Sequence, residues 1–424
     1  MLERLLARRT FLPLLAAACL AGYLPAFNNG FIADDYVILD WAGRFFAHPG
    51  FLFTIPPQNF RMTSYVVFEL LKRAFGYQPL IWYAVNTTFH FIACVVLWRL
   101  LLRVENEFTA GLATLLFAVF QQPQEAVMWL AAMNETLAAI FILGALLLWT
   151  RNKHGWALLC YTLALISKES APILLLLIPL VQWRQKKPLF PRPYLLYFIP
   201  TAVFAVVFLM TWSANHMIRG QFYTVSPHAL LVLAITLHRL LWPWMYVFAA
   251  LAMIWGAVRL SGKGVLTALG VIALPMLPYI FLTYDKHLPS RQLYLSCMVF
   301  MLMVAGMIQK VKMPELRSAV VAVFCLWNVF YMWTTKDRQF LERAAPTTEL
   351  LHVLQSRQPA PIRVDGFPYP VVDIAKDVSF LVPGWTPEMI VTDGGCTDCP
   401  AYRWEPATRM YSSSPLPPGE GRAR

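Results

Sequence analysis

TFLPLLAAACLAGYLPAFNNGFIADDYVILD, residues 10–40, sets a run of apolar side chains directly against two adjacent carboxylates, Asp34 and Asp35. Its first part, 10–27, approaches the length that crosses about 30 Å of hydrocarbon as a helix, and Arg4, Arg8 and Arg9 precede it. No small-x-small cleavage pattern separates that run from the loop, and further apolar runs follow. It therefore reads as an uncleaved first span rather than a signal peptide. A carboxylate pair just past a bilayer edge is costly to desolvate, so water, cations or a substrate belong beside it.

Outward from this stretch, the composition is that of a membrane protein. Of 424 residues 58% are hydrophobic and 14% charged, with a mean hydropathy of +0.54. A soluble domain carries about a quarter charged residues. Apolar segments recur near 79–102, 108–123, 131–150, 155–167, 169–183, 193–213, 231–258, 264–284, 291–309 and 316–334. With the first run these predict an all-α polytopic membrane protein, a bundle of about 11 transmembrane helices occupying 1–336. If the N-terminus is cytoplasmic, the inner loops carry Arg99 and Arg103; Arg151 and Lys153; Arg184, Lys186, Lys187 and Arg192; Arg259 and Lys263; and Lys310, Lys312 and Arg317. Basic inner loops are what the positive-inside rule requires, and the C-terminus then falls on the extracytoplasmic side. The net charge of +12 is thus assigned to topology and anionic lipid headgroups, not to nucleic acid.

The longest external segment, 27–78, contains Met62–Phe75. Wound as a helix, it places Val67, Phe68, Leu70, Leu71, Ala74 and Phe75 on one side and Glu69, Lys72 and Arg73 on the other, the pattern of an interfacial helix. After about 337 the apolar runs end and short extended pieces appear (PIRVDG, YPVVDI, EMIVTDGG). These predict a small extracytoplasmic α/β or β-rich module over 337–410, followed by a disordered tail, 411–424. Cys396 and Cys399 in CTDC fit a small disulfide in an oxidising compartment, while Cys19, Cys94, Cys160, Cys297 and Cys325 read as apolar filler within spans.

Five groups of residues carry possible chemistry. Asp34 and Asp35 suit a base that takes a proton from an acceptor, or simply the first turn of a helix starting there. Lys168 and Glu169, in ISKES, could hold and orient a phosphate, or form an ordinary turn with a local ion pair. Glu125, Asn134 and Glu135 stand at or inside membrane depth, facing a cavity or another helix. His287 and Arg291 lead into a span beside Asp285 and Lys286, and Arg291 can grip phosphate bidentately. Arg61 also suits phosphate, and His90 lies inside a span. No His, Cys and carboxylate grouping has zinc spacing. A divalent cation (Mg or Mn) could be shared by Asp34 or Asp35 with a phosphate, and the metal is otherwise unknown. These groups fall on one side of the membrane, as a site for an anionic lipid-linked substrate requires.

The successive blocks FIADDYVIL, FRMTSYVVFELLKRAFGYQPLIWYAVNTTFH, QEAVMWLAAMNETLAAIFILGALLL, ALISKES and LPSRQLYL resemble those of the GT-C superfamily. The likeness covers roughly 10–310 and points to relatives of protein O-mannosyltransferases and lipid A aminoarabinose transferases. It implies inverting transfer of a sugar from a polyprenyl-phosphate donor to a glycan, lipid or protein acceptor, at the outer face of a bacterial inner (cytoplasmic) membrane. By the same carry-over Asp34 or Asp35 would be the base, with Lys168, Arg291 and Arg61 on the donor phosphate. FRMT lacks the proline that often follows this arginine, and Met133-Asn134-Glu135 replaces a frequent Arg and Asp. A transporter or flippase for a lipid-linked saccharide, or a non-catalytic scaffold, also fits polar groups in spans; no inverted repeat favours transport.

Overall fold

The computed structural model describes residues 2–414 apart from 7, 54–60, 211, 215, 255–261, 283–285, 370–372, 393–395 and 397–398. Its helices longer than ten residues are α1 (Arg8–Tyr23), α2 (Asp34–Ala47), α3 (Met62–Phe75), α4 (Pro79–Leu101), α5 (Glu107–Val119), α6 (Met133–Thr150), α7 (His154–Leu165), α8 (Leu174–Arg184), α9 (Phe198–Met210), α10 (His228–Leu241), α11 (Trp244–Ile254), α12 (Gly262–Ala273), α13 (Tyr294–Gln309), α14 (Pro314–Tyr331) and α15 (Asp337–Gln355). Six helical stretches are long and apolar enough to cross a membrane, and α10 with α11 forms a further pair bent by 63°. Glu107–Val119, His154–Leu165, Ala171–Arg184 and Lys263–Met276 are apolar but shorter. The chain is an integral membrane protein, and among the described residues six or seven of the eleven expected spans have spanning length.

Short α5 sits at the centre. Asn106 caps it by accepting from the Thr109 N–H at 2.9 Å, and from Thr109 to Val119 every residue is buried. Its 13 residues reach only about 20 Å. The helix packs on α1, α4 and α13, and no lipid-facing stripe remains on it.

The last span departs most from expectation. From Pro314 to Gln355 the chain stays helical for 42 residues, through a π-turn at Met332–Lys336. At 1.5 Å per residue that is about 63 Å, twice the hydrocarbon thickness, so α15 projects well beyond the bundle. The region after 337 therefore opens with a helix, and the small domain follows it. Phe340, Ala344, Thr347, Leu350 and Leu354 form the stripe that α15 buries. Thr347 donates to the Phe31 carbonyl at 2.9 Å, and Gly30 lies so close to Thr348 that a Cβ there would clash with its hydroxyl oxygen. The loop before α2 and the projecting helix are thus locked together.

The C-terminal sheet has the order β2-β1-β3-β4, with β1 (Ile362–Asp365), β2 (Ile390–Thr392), β3 (Ala401–Glu405) and β4 (Met410–Ser414). β1 is parallel to β2 and β3, with Val364 opposite Thr392 and Tyr402; β3 and β4 form an antiparallel hairpin. Cys396 and Cys399 are disulfide-bonded, and Arg363 donates to the Cys396 carbonyl. Because β4 runs to Ser414, residues 411–414 are ordered strand and not tail; 415–424 lie outside the described residues.

Helix α3 forms over the expected residues and ends at Gly76, whose φ of 62° favours glycine. Phe68 and Leu71 are buried, but so is Glu69, which Arg73 holds at 2.8 Å, while Leu70 and Phe75 are exposed. The apolar stripe is rotated from the one the periodicity predicts.

Candidate functional site

The two aspartates separate completely. Asp35 has no exposed surface: one carboxylate oxygen accepts the Ile32 N–H at 2.7 Å and the other the Ala131 N–H at 2.5 Å. Between them stands Ala33 with φ +43°, a conformation that costs a non-glycine residue of order 1–3 kcal/mol. Trp129 adds a third tie by donating its indole N–H to the Ile32 carbonyl at 3.2 Å. Asp35 is the strut that holds this turn, with no exposed surface and both carboxylate oxygens accepting backbone N–H groups.

Asp34 opens α2 and is exposed. Burial of the surrounding site raises its carboxyl above the ordinary carboxylate range, and Arg291, Arg61 and Arg343 pull against that rise. Three guanidinia therefore act on one accessible carboxylate.

On one flank Glu125, in the single turn Glu125–Met128, binds two of them. One oxygen lies 3.3 Å from Arg291 and the other 3.0 Å from Arg343. Burial raises the Glu125 carboxyl, but the two arginines outweigh it and hold it below the usual range. Both guanidinia also stack on Trp129, at 4.9 and 5.0 Å from the ring. The backbone of Arg343 accepts a hydrogen bond from the Tyr369 hydroxyl, which ties the C-terminal module to this flank. Burial pushes the Tyr369 phenol up to about 12, with Asp34 and Asp35 among its neighbours.

On the other flank Lys168, 3% exposed, lies 3.2 Å from Glu135 and 3.3 Å from Glu169. Tyr279 donates to Glu135 at 3.2 Å and bonds Ser170 at 2.6 Å. Glu169 reaches Arg61 at 3.6 Å, and Lys168 and Arg61 together hold its carboxyl low against the upward pull of burial. Lys168 is thus enclosed by carboxylates. Its ammonium is paired with two carboxylates, and through Glu169 it positions Arg61.

Asn134 is buried and donates to the Ala131 carbonyl at 3.3 Å, behind the strut. His90 has both ring nitrogens engaged, 2.6 Å from the Tyr294 hydroxyl and 3.1 Å from the Ala118 carbonyl, so it bonds helices together. Cys19 and Cys94 bring their sulfurs to it, the three ligand-type atoms lying within 4.8 Å, a meeting of distant positions that spacing does not reveal. His287 lies 3.3 Å from the neighbouring Leu288 carbonyl. Tyr284 and Asp285, grouped with it in the sequence, are outside the described residues.

A divalent cation fits this donor set poorly. Among the described residues, Asp35 has both oxygens taken by backbone N–H groups and Glu125 has both taken by arginines. Asp34 remains, a lone carboxylate among three cations.

Arg343, Trp129, Tyr369 and Tyr279 are the residues that the sequence reading missed. For Arg343 a signal existed: it follows Lys336 by seven residues, two helical turns, in a segment whose buried stripe repeats every three or four positions. Taking 337 as the start of a new domain hid it.

No protein-family model matches the chain, and no curated protein matches it. Among solved structures it is similar to the Archaeoglobus fulgidus oligosaccharyltransferase tethered with an acceptor peptide containing the NVT sequon. The TM-score is 0.43 and the identity 10%, over 86% of this chain and 62% of that one.

Proposed function

We propose that this chain is a GT-C-type membrane glycosyltransferase. It moves a sugar from a polyprenyl-phosphate-linked donor to a hydroxyl of a glycan, lipid or protein acceptor at the external face of a bacterial inner membrane. The observation that carries this reading is Asp34: an accessible carboxylate, raised in pKa, on which Arg291, Arg343 and Arg61 all act.

The chemistry follows from that placement. Asp34 accepts the proton of the acceptor hydroxyl while the hydroxyl oxygen attacks the anomeric carbon, and the bond from that carbon to the phosphate oxygen breaks. A single displacement inverts the anomeric centre. The departing phosphate gathers negative charge, and guanidinia already fixed in position stabilise it without reorganising. Glu125 and Trp129 hold Arg291 and Arg343 in place. A base whose pKa is lifted toward the working pH is a better proton acceptor than an ordinary aspartate.

The test compares Asp34→Asn with wild type, reading cell-envelope glycans and lipids by mass spectrometry and folding by thermal unfolding. The proposal expects loss of one glycosylated product with little change in melting temperature. An unchanged product profile from a fully inactive-site variant would remove Asp34 from the chemistry.

A further inference from the structure

We propose that Cys19, His90 and Cys94 form a structural zinc site inside the helical bundle. The site stands apart from sugar transfer: neither Asp34 nor any of the arginines around it belongs to the cluster.

Two helices supply the donors. His90 and Cys94 are four residues apart on α4, about one turn, so they share a face. Cys19 comes across from α1, which packs on α4. All three are buried, Cys19 being 2% exposed and the other two not at all. The Cys94 Sγ lies 3.8 Å from His90 Nε2, and the three ligand atoms all lie within 4.8 Å of one another. Among the described residues no other three His, Cys, Asp or Glu side chains bring ligand atoms so close together. Zinc bound to sulfur at about 2.3 Å and to nitrogen at about 2.0 Å sets those two donors about 3.5–3.8 Å apart, and two sulfurs about 3.8–4.0 Å apart. The pair on α4 already has that spacing, and Cys19 has little distance to close.

The imidazole is prepared for the metal-free and the metal-bound state alike. Its Nδ1 lies 2.6 Å from the Tyr294 hydroxyl and its Nε2 3.1 Å from the Ala118 carbonyl. A hydroxyl either donates or accepts, so Tyr294 serves both tautomers. Without the ion, Nε2–H donates to Ala118 and Nδ1 accepts from Tyr294. With it, the proton stands on Nδ1 and is donated to Tyr294, which leaves the Nε2 lone pair for the metal and fixes the ring as outer hydrogen bonds do for metal-bound histidines. The rings of Tyr23, Phe117 and Tyr294, at 4.8, 5.4 and 5.8 Å, pack around the imidazole and hold its plane.

Charge selects the ion. Two thiolates and a neutral imidazole carry two negative charges, which a dry interior does not tolerate unpaired. A divalent ion brings the total to zero, whereas copper(I), equally thiophilic, leaves one negative charge; magnesium and calcium take oxygen donors. The ion replaces the two thiol protons, which leave as it binds. Structural zinc is four-coordinate, and the Ala118 carbonyl, released by Nε2, is an oxygen donor at hand for the fourth place. The ion clamps α1, which leads into the Asp34 loop, to α4, whose Tyr83 donates to the Gly30 carbonyl of that loop at 3.0 Å.

Metal content tests this without any assay of sugar transfer. The full-length protein, carrying no polyhistidine tag, is purified from zinc-supplemented cells and its metals are counted by mass spectrometry. About one zinc per chain is expected, with zinc-edge X-ray absorption showing sulfur neighbours at about 2.3 Å and nitrogen at about 2.0 Å. Cys19→Ser and Cys94→Ser are expected to lose the metal, and Cys160→Ser, outside the cluster, to keep it. The wild-type spectrum decides the matter even where a variant fails to fold. Zinc-free protein, zinc with only oxygen and nitrogen neighbours, or zinc retained by both cluster variants overturns the proposal. Copper as the resident metal, or a Cys19–Cys94 disulfide in the purified protein, overturns it as well.

Discussion

The two ends of the bundle use the same chemistry at different depths. At the end away from Asp34, Arg184 forms a two-pronged pair with Glu105 at 2.9 and 3.0 Å, and Arg317 pairs with Glu3 at 3.1 Å. Each of these pairs has one exposed partner, Arg184 at 55% against Glu105 at 16% and Glu3 at 69% against Arg317 at 15%. At the Asp34 end Lys168 and Glu135 are both buried, at 4% and 6%, while Glu125 at 14% meets Arg291 at 24% and Arg343 at 40%. Exposed pairs add at most about 1 kcal/mol, whereas a buried pair gains little net stability and becomes expensive to break. A fold that needed only cohesion would have no reason to bury charge at one end. On the proposed function, its concentration there belongs to the end where the donor's anion is met.

The largest expected effect is therefore at Lys168. Lys168→Met leaves Glu135 and Glu169 facing one another with only Arg61 and Tyr279 beside them, and should destabilise the protein by about 3–5 kcal/mol. Thermal unfolding in detergent measures it. Glu135→Gln in the same background relieves the uncompensated charge and should recover part of the loss. A Lys168→Met protein as stable as wild type would mean that this network is wetter than its burial implies.

Next in size is the contrast between neighbouring aspartates. Asp35→Ala orphans the Ile32 and Ala131 N–H groups, at about 1–3 kcal/mol each, and releases the strained Ala33. Asp34→Ala touches no such bond among those described and should cost less than about 0.5 kcal/mol. The pair sharpens the comparison, since stability should track one position and sugar transfer the other. Equal melting temperatures for the two variants would undo the division of labour.

That division is also where the sequence stops being legible. Apolar runs, the extent of the helix Met62–Phe75 and the CTDC disulfide follow from composition and period, because lipid and solvent impose them locally. The site blocks also point to one membrane face. Which of two consecutive aspartates turns outward depends on a backbone N–H at Ala131, almost a hundred residues away, and no local pattern reports that. Lys168 looked free because Glu135 is thirty-three residues upstream. Arg343 reads as tail when the end of the apolar run is equated with the end of the helix, but the helix continues into α15, whose buried stripe docks on Phe31.

A smaller effect appears in pH. Asp34 must be ionised to accept a proton, so transfer falls as pH drops through its pKa. Since that pKa is raised, the acid limb lies above the value of about 3.9 for a free aspartate. Arg291→Gln removes a charge that lowers it, so the limb should move to still higher pH, alongside weaker donor binding. Arg184→Gln, at the far end, should leave the limb in place. A rate-against-pH profile for the three proteins decides it, and a limb that moves downward in Arg291→Gln contradicts the assignment of Asp34 as base.

The smallest expected effect tests the comparison from its other side. A double-mutant cycle on Arg184→Gln and Glu105→Gln isolates the exposed pair, and its coupling should be about 0.2–1 kcal/mol, shrinking as salt is raised. The geometry is as good as any at the site end, with two bonds near 3 Å. Distance alone would therefore rank this pair above Lys168–Glu135 at 3.2 Å. If burial governs, the order reverses, because water around Arg184 already satisfies most of what Glu105 offers. A coupling of several kcal/mol that ignores salt would show that the far end is as dry as the site, and the argument that buried charge singles out the Asp34 end would lose its basis.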